Sequence, residues 1–425
     1  MPFPKFRLAD PARGGRRAAL VFIAITVCLD VLAQSITFPI LPRLAQQLLG
    51  GDRAAAARWV GFLEVAWVVP QFFAAPVLGM LSDRFGRRPV IVLSVLGVGL
   101  EFILCALAPS IGWLLLGRVL CGLSCGAQAA AMAYVADVTP PEGRARSYGW
   151  LNASAWSGVI LGPALGGLLG AVDLRTPFWV AAVVALAGGV YGFFVLPESL
   201  RSADRAPIRW SKAHPWGALD MVLRIPGLPM LSVVFLLLWF ARYALDSVFV
   251  LYTANRYGWA SLTLGLFFSA VACVNIGVQT GLSGRIAGWI GERRAVVVGL
   301  VFQTMGFALA GVSPTGAWFC LAMIPIAIGN IAGPSLQALM TAKVAPDQQG
   351  RLQGAMGSIG GLTGFAGPIA FTQIFAWSIG LGHGPAWSGV TILTGATISF
   401  VAWTLVVLSG RNGAATAPRT ASPPP

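Results

Sequence analysis

Twelve stretches of this chain are long and apolar enough to cross a bilayer as helices. About 20 residues rising 1.5 Å each cover a hydrocarbon core of about 30 Å. Such stretches run roughly over 18–41, 59–81, 89–109, 111–135, 147–171, 176–196, 227–252, 260–283, 295–313, 317–340, 353–378 and 386–409. Lipid offers no partner to an exposed backbone N–H or C=O, so each stretch must satisfy its own hydrogen bonds as a helix, and glycine and proline are tolerated where such helices pack together. Composition agrees: with 56% hydrophobic and only 10% charged residues among 425, too little polar surface exists to cover a water-soluble globule. The expected fold is an all-α polytopic membrane protein. The first stretch is too long, and too far from a small-residue cleavage site, to be a removed signal peptide.

A net charge of +14 would suggest nucleic acid for a soluble chain, but the placement of the charges points to a membrane. With the N-terminus inside, 22 of the 29 Lys and Arg fall in cytoplasmic segments, five fall outside, and Arg118 and Arg242 lie within spans. This positive-inside bias predicts a bacterial inner-membrane protein with both termini cytoplasmic. Clusters such as Arg13 to Arg17 suit anionic headgroups, and no nucleic-acid motif accompanies them. All six cysteines sit inside apolar stretches, which argues against a disulfide framework or a zinc site. The two histidines, His214 and His383, are in loops. Without a His-Glu-x-x-His pair, a Gly-x-Ser-x-Gly elbow or a phosphate-binding loop, neither an enzyme nor an ATP-driven pump is expected. That leaves no cofactor and no metal, with an ion gradient as the energy source.

The chain also repeats itself at a displacement of 205 residues, pairing Gly79 with Gly284, Gly86 with Gly291, Arg88 with Arg293, Gly149 with Gly354, Gly162 with Gly367 and Pro163 with Pro368. Two pseudo-symmetric six-helix bundles follow, over 1–196 and 227–409. Between them runs a cytoplasmic linker, 197–226, with a possible surface helix from Trp216 to Ile225, and a disordered tail is expected over 410–425. Paired bundles of this kind build rocking transporters, with substrate bound near the bilayer midplane.

"GMLSDRFGRRP", Gly79 to Pro89, packs an aspartate and three arginines between two apolar runs. It resembles the signature loop of the major facilitator superfamily. The likeness extends to "CLDVLAQSITFPILP", "LGRVLCGLSCGAQAA", "GVILGPALGG", "YTANRYGW" and "QQGRLQG", and is similar to the tetracycline/proton antiporter branch. Physically, Gly79 and Gly86 would permit a tight turn and close helix approach, while Arg84, Arg87 and Arg88 would anchor the loop at the cytoplasmic face. The resemblance implies a major facilitator fold and a conformational latch in which Asp83 faces a helix of the other half. Asp137, on the neighbouring inner loop, is a candidate partner for one arginine. A plain topology anchor would account for the arginines but not for Asp83.

Ionised groups inside a bilayer cost at least about 2.5 kcal/mol each, so each is a functional candidate. Asp30 lies about 18 Å into the first span, and Glu101 and Arg118 lie at similar depth on either side of a turn near Ser110. The latter two could pair, or share Asp30 through a polar chain. A membrane carboxylate that is neutral in one conformation and ionised in another couples protons to substrate, although a static salt bridge between helices would use the same residues. The resemblance implies the coupling role, with Glu101 standing in for an aspartate.

Gly158, Gly162, Gly166 and Gly170 recur every four residues, leaving one helix face without side chains. With Pro163 and Gly167 they form a pattern resembling the antiporter signature of drug exporters; a bare packing stripe would explain the spacing but not the proline. The chain departs from tetracycline exporters at Gln303, where they carry an acid, and at Asn275, where they carry a histidine. Arg242 and Asp246, one helical turn apart, either supply charge to a central cavity or form a structural pair. Gln34 and Asn330 are further candidates to line that cavity. The expected function is proton-coupled efflux of a small amphiphilic drug or metabolite by a monomer in the lipid bilayer. The alternative is a nutrient symporter or facilitator of the same fold.

Overall fold

A computed structural model of the chain describes residues 13–140, 143–200, 205, 219–345 and 348–415. Among these residues the regular structure is helical and no strand occurs. Eleven helical segments, from Ala18–Leu48 to Pro385–Ser409, are long and apolar enough to cross a membrane. The eighth expected crossing is the exception. Its α-helix Ser261–Gly277 gives way to a π turn at Val278–Ser283 before α-helix resumes over Gly284–Ile290, so this span is not one regular helix.

Other interruptions follow the sequence directly. Proline has no N–H to donate and crowds the preceding turn, and the first span breaks around Pro39, ending at Thr37 and restarting as Leu41–Leu48 with Pro42 in its first turn. The expected loop at Gly79–Pro89 contracts to one residue: helix Arg53–Phe85 runs to its edge, helix Arg87–Leu107 begins at once, and Gly86 alone makes the turn at φ +112. Gly79 lies inside the second helix, where an added Cβ would meet nothing within 4 Å, so neither a turn nor a close approach explains that glycine.

The internal repeat is geometric as well as textual. Gly86 and Gly291, 205 residues apart, both take positive φ between helices. The helices that follow, Arg87–Leu107 and Glu292–Val312, then Ile111–Ser124 and Gly316–Gly329, share boundaries at that displacement. Each of the latter two breaks for two residues, at 125–126 and 330–331, and resumes at Ala127 and Ala332.

The chain divides into two compact units. One comprises Met1–His214 with Ser247–Cys273 and Pro368–Leu381. A core of Ile23, Val27, Ile91, Ala131, Tyr134, Val135 and Leu151 lies within it. Here helix Arg144–Val172 presses its glycines onto the first span: a Cβ on Gly158 would lie 2.7 Å from Leu32 N, and one on Gly166 only 2.0 Å from Ile36 O. Gly167 points elsewhere, its virtual Cβ 2.6 Å from Ser261 O. The other unit comprises Pro215–Asp246, Val274–Gly367 and Gly382–Pro425. Val234, Phe235, Leu300, Leu336, Leu352 and Ala402 are among its core residues. Gly367 lets helix Gln349–Gly380 approach the seventh span, with a virtual Cβ 2.6 Å from the Tyr243 ring.

Of the expected surface helix, Leu219–Arg224 is helical, and Trp216 with most of the linker lies outside the described residues. Helix Val390–Ala415 continues beyond the expected end of the last span at 409, and 416–425 lie outside the described residues.

Contact geometry separates the glycines sharply. Gly166→Ala should lower the stability of the detergent-purified protein by about 1–3 kcal/mol, because the helices must part, whereas Gly79→Ala should be neutral or raise it by up to about 1 kcal/mol through helix propensity. Thermal unfolding of the two variants side by side checks both signs.

Candidate functional site

Glu101 lies in helix Arg87–Leu107 with none of its surface exposed. Its Oε1 accepts from Cys105 Sγ at 3.3 Å and from Arg118 Nη1 at 3.5 Å, and its Oε2 has no hydrogen-bond partner. The arginine reaches it because Gly117 lets the two helices touch: a Cβ there would lie 2.8 Å from Cys105 Sγ. Arg118 is held from the other side by Trp67, whose ring centroid is 5.0 Å from the guanidinium carbon. The indole N–H of Trp67 in turn donates to Cys125 Sγ at 3.4 Å. A lone carboxylate oxygen and the unpartnered Arg118 Nε remain buried within this cluster.

Asp30 is also buried, and it makes no hydrogen bond to that pair. Gln34 Nε2 donates to its Oδ2 at 3.1 Å, and Oδ1 has no partner. Of the two arrangements open to the sequence, the Glu101–Arg118 pair forms, and no hydrogen bond extends it to Asp30. Sequence reasoning missed Trp67, since an aromatic in an apolar run carries no signal until the cation above it is located.

At the charged knot, Arg87 is the centre. Its guanidinium pairs with Asp83, four residues back in the preceding helix, and, through Nε, with Asp137 at 3.1 Å; Nη1 also donates to Ser82 Oγ at 3.2 Å. Ser199 Oγ reaches the same Asp137 oxygen at 2.9 Å. Arg88 donates to the carbonyl of Phe193 and lies over that ring, while Arg84 is exposed. Asp137 therefore has the arginine partner expected of it. Glu198 was not foreseen. Its carboxylate accepts the N–H groups of Arg87 at 2.9 Å and Arg88 at 3.3 Å, capping from afar a helix whose own preceding residue, Gly86, has no side chain to do so. It sits 111 residues from Arg87, a separation no local pattern reveals. A Cβ on Gly86 would lie 2.2 Å from the Glu198 Oε2, which, with the positive φ, explains glycine there.

In the second unit, Arg242 Nε pairs with Asp246 Oδ2 at 2.7 Å, and Arg242 Nη1 donates to Asn330 Oδ1 at 3.3 Å. Asn330 Nδ2 then donates to Asn275 Oδ1 at 2.8 Å. Three spans thus contribute to one polar chain, whose charged members keep over two-fifths of their side-chain surface open. The pair is not self-contained. Gln303 is a correction: it is 5% exposed, because Gly329 packs against its backbone with a virtual Cβ 2.8 Å from Gln303 N, so it does not line an open cavity.

Over residues 23–368, the stretch that carries all of these groups, the sequence matches the Major Facilitator Superfamily. The chain belongs to that superfamily. Tetracycline resistance protein, class C, from Escherichia coli is 32% identical over 369 residues, covering 87% of this chain and 92% of that one. Multidrug resistance protein 2 from Bacillus subtilis is 25% identical, over 91% of this chain and 95% of its own. Among solved structures, a bacterial homolog of the human lysosomal transporter Spinster, inward-facing and unoccupied, superposes with a TM-score of 0.74 over 94% of this chain and 98% of that one at 18% identity, a likeness of fold alone. As a member of the major facilitator superfamily the chain is a membrane transporter of small molecules and not an enzyme.

Capping by Glu198 gives a direct test. Glu198→Ala should cost about 1 kcal/mol and speed amide exchange at Arg87 and Arg88, while Glu198→Gln, which keeps an acceptor, should lose less. Hydrogen-exchange mass spectrometry of the peptide spanning Gly86 measures the difference.

Proposed function

We propose that this transporter is a proton-coupled efflux antiporter, exporting a small amphiphilic drug or metabolite by alternating access across a bacterial inner membrane with both termini cytoplasmic. The observation that carries the reading is Glu101: wholly buried, paired through one oxygen with Arg118, and unpartnered at the other. A carboxylate out of water favours its neutral form and one beside an arginine its charged form, so any motion that alters the pair alters proton occupancy. By linkage, proton binding and substrate binding then shift each other reciprocally. Asp30, buried with one bare oxygen, supplies a second exchangeable site.

Alternation is supported by the distribution of tight contacts. Near the end of the spans opposite the charged knot, segments of both sequence repeats pack within one unit: Phe38 meets Phe268 edge-on at 5.1 Å, Ser269 donates to Ile160 O, and a Cβ on Gly61 would lie 2.1 Å from Thr372 Oγ1. Gly61, and Gly167 against Gly265, let backbones approach closely at these crossings. At the other end, the Asp83–Arg87–Asp137 cluster ties together elements of the first repeat only, and Asp83 keeps half of its side-chain surface open.

For cargo, relatives named for tetracycline and multidrug resistance favour export of an amphiphile. The uncharged Asn275, hydrogen-bonded to Asn330, gives this chain no titratable group at that position, and Arg242 and Asp246 provide the exposed charge instead. We assign them to substrate contact. The energy source is the proton gradient and the working unit a monomer.

Everted vesicles with an acidified interior measure the coupling. Substrate added to wild type should release protons from the interior, and Asp30→Asn and Glu101→Gln should each abolish that release while the protein remains inserted. Undiminished exchange in both variants excludes the assignment. Asp246→Asn should change which compounds are exported in a toxicity panel in a pump-deficient host, leaving proton release with accepted compounds intact; an unchanged spectrum would make Arg242–Asp246 a structural pair.

A further inference from the structure

Away from the buried acids and the charged knot, the first unit holds a cavity of about 540 Å³ bordered by Arg43, Gln46, Gln47, Arg53, Leu174 and Trp259. That volume falls in the range of small-ligand sites, about 300–1,000 Å³. Two arginines border it and no acid does. Arg43 donates Nη1 to Ser261 Oγ at 3.1 Å and Nη2 to the carbonyl of Trp259, neutral acceptors that fix its plane without cancelling its charge, and its buried Nε has no partner. Arg53 donates to the side-chain oxygen of Asn255 at 2.8 Å, again a neutral group. The two nearby carboxylates are occupied elsewhere: Asp52 caps helix Arg53–Phe85 through the N–H groups of Ala54 and Ala55, and Asp173 accepts from those of Arg175 and Thr176. Among the described residues neither arginine is in an ion pair.

We propose that this cavity is a binding site for a phosphate group, clamped between Arg43 and Arg53 with Gln46 and Gln47 as further donors. A guanidinium is a planar fork that matches phosphate oxygens two at a time. A half-buried guanidinium held by neutral acceptors alone, with no counter-charge, is prepared for such an anion. The walls come from 43–53 and from 254–260, parts of different sequence repeats, so an occupied site holds those two ends together and favours the conformation in which they touch. Because the cavity lies at the ends of spans, the phosphate can arrive as the headgroup of an anionic lipid or as a free ion. The proposal is independent of the efflux reading, and its test is a binding measurement.

Full-length protein in phosphatidylcholine nanodiscs is melted with and without inorganic phosphate, and separately with phosphatidylglycerol replacing part of the phosphatidylcholine. Phosphate groups should raise the melting temperature of wild type by several degrees, and Arg53→Gln should remove most of that shift. Arg43→Lys, which keeps the charge, should retain part of it, and Arg58→Gln, an exposed arginine of helix Arg53–Phe85 outside the lining of this cavity, should retain all of it. A shift from phosphatidylglycerol alone identifies the lipid headgroup as the source; an equal shift from inorganic phosphate identifies the free ion. No shift in wild type from either, or a shift as large in Arg53→Gln as in wild type, overturns the site.

Discussion

Hydrocarbon does not forgive an unmatched polar group, and that constraint orders the structure. Backbone groups meet it by forming helices. The few charged side chains that enter the membrane meet it less completely. Glu101 shares one oxygen with Arg118 and Cys105 and leaves the other bare, and Asp30 is half-satisfied by Gln34. A fully matched set would leave no acceptor over; here each acid keeps one bare oxygen.

A second feature is the close approach of helices along bare backbone faces, which small residues permit. Gly158, Gly162 and Gly166 lie against the first span, while Gly167 turns the opposite face of the same helix toward Ser261 and Gly265. One glycine-rich segment therefore serves two neighbours, which neither the bare stripe nor the motif alone conveyed. Polar links near it include Ser269 to Ile160, Arg43 to Ser261 and to Trp259, and Arg53 to Asn255.

The knot at Gly79–Pro89 illustrates how partners are chosen. Arg87 gathers Asp83 from the preceding helix and Asp137 from another, and Glu198 closes the arrangement by capping the helix that Arg87 begins. Three acids thus converge around one arginine at the single non-helical residue between two spans. Removal of charge at any of them redistributes hydrogen bonds among the rest, so effects there should not be additive.

Apolar runs, the 205-residue displacement and the acids within spans were all legible, because hydrophobic length and charge in lipid are properties of the local sequence. So was the depth match of Glu101 and Arg118, since a turn near Ser110 fixes it. Trp67, Glu198, the cavity at Arg43 and Arg53, and the burial of Gln303 behind Gly329 were not legible. Each arises where residues far apart in the chain are brought within a few ångströms, and nothing in either segment encodes the other. The sequence by itself determined which segments enter the membrane and which charges go with them, for those follow from transfer energies of short stretches. Only the tertiary structure decided which charge meets which partner and which glycine touches a neighbour, for pairing depends on helix rotation and crossing, quantities set by packing over the whole fold.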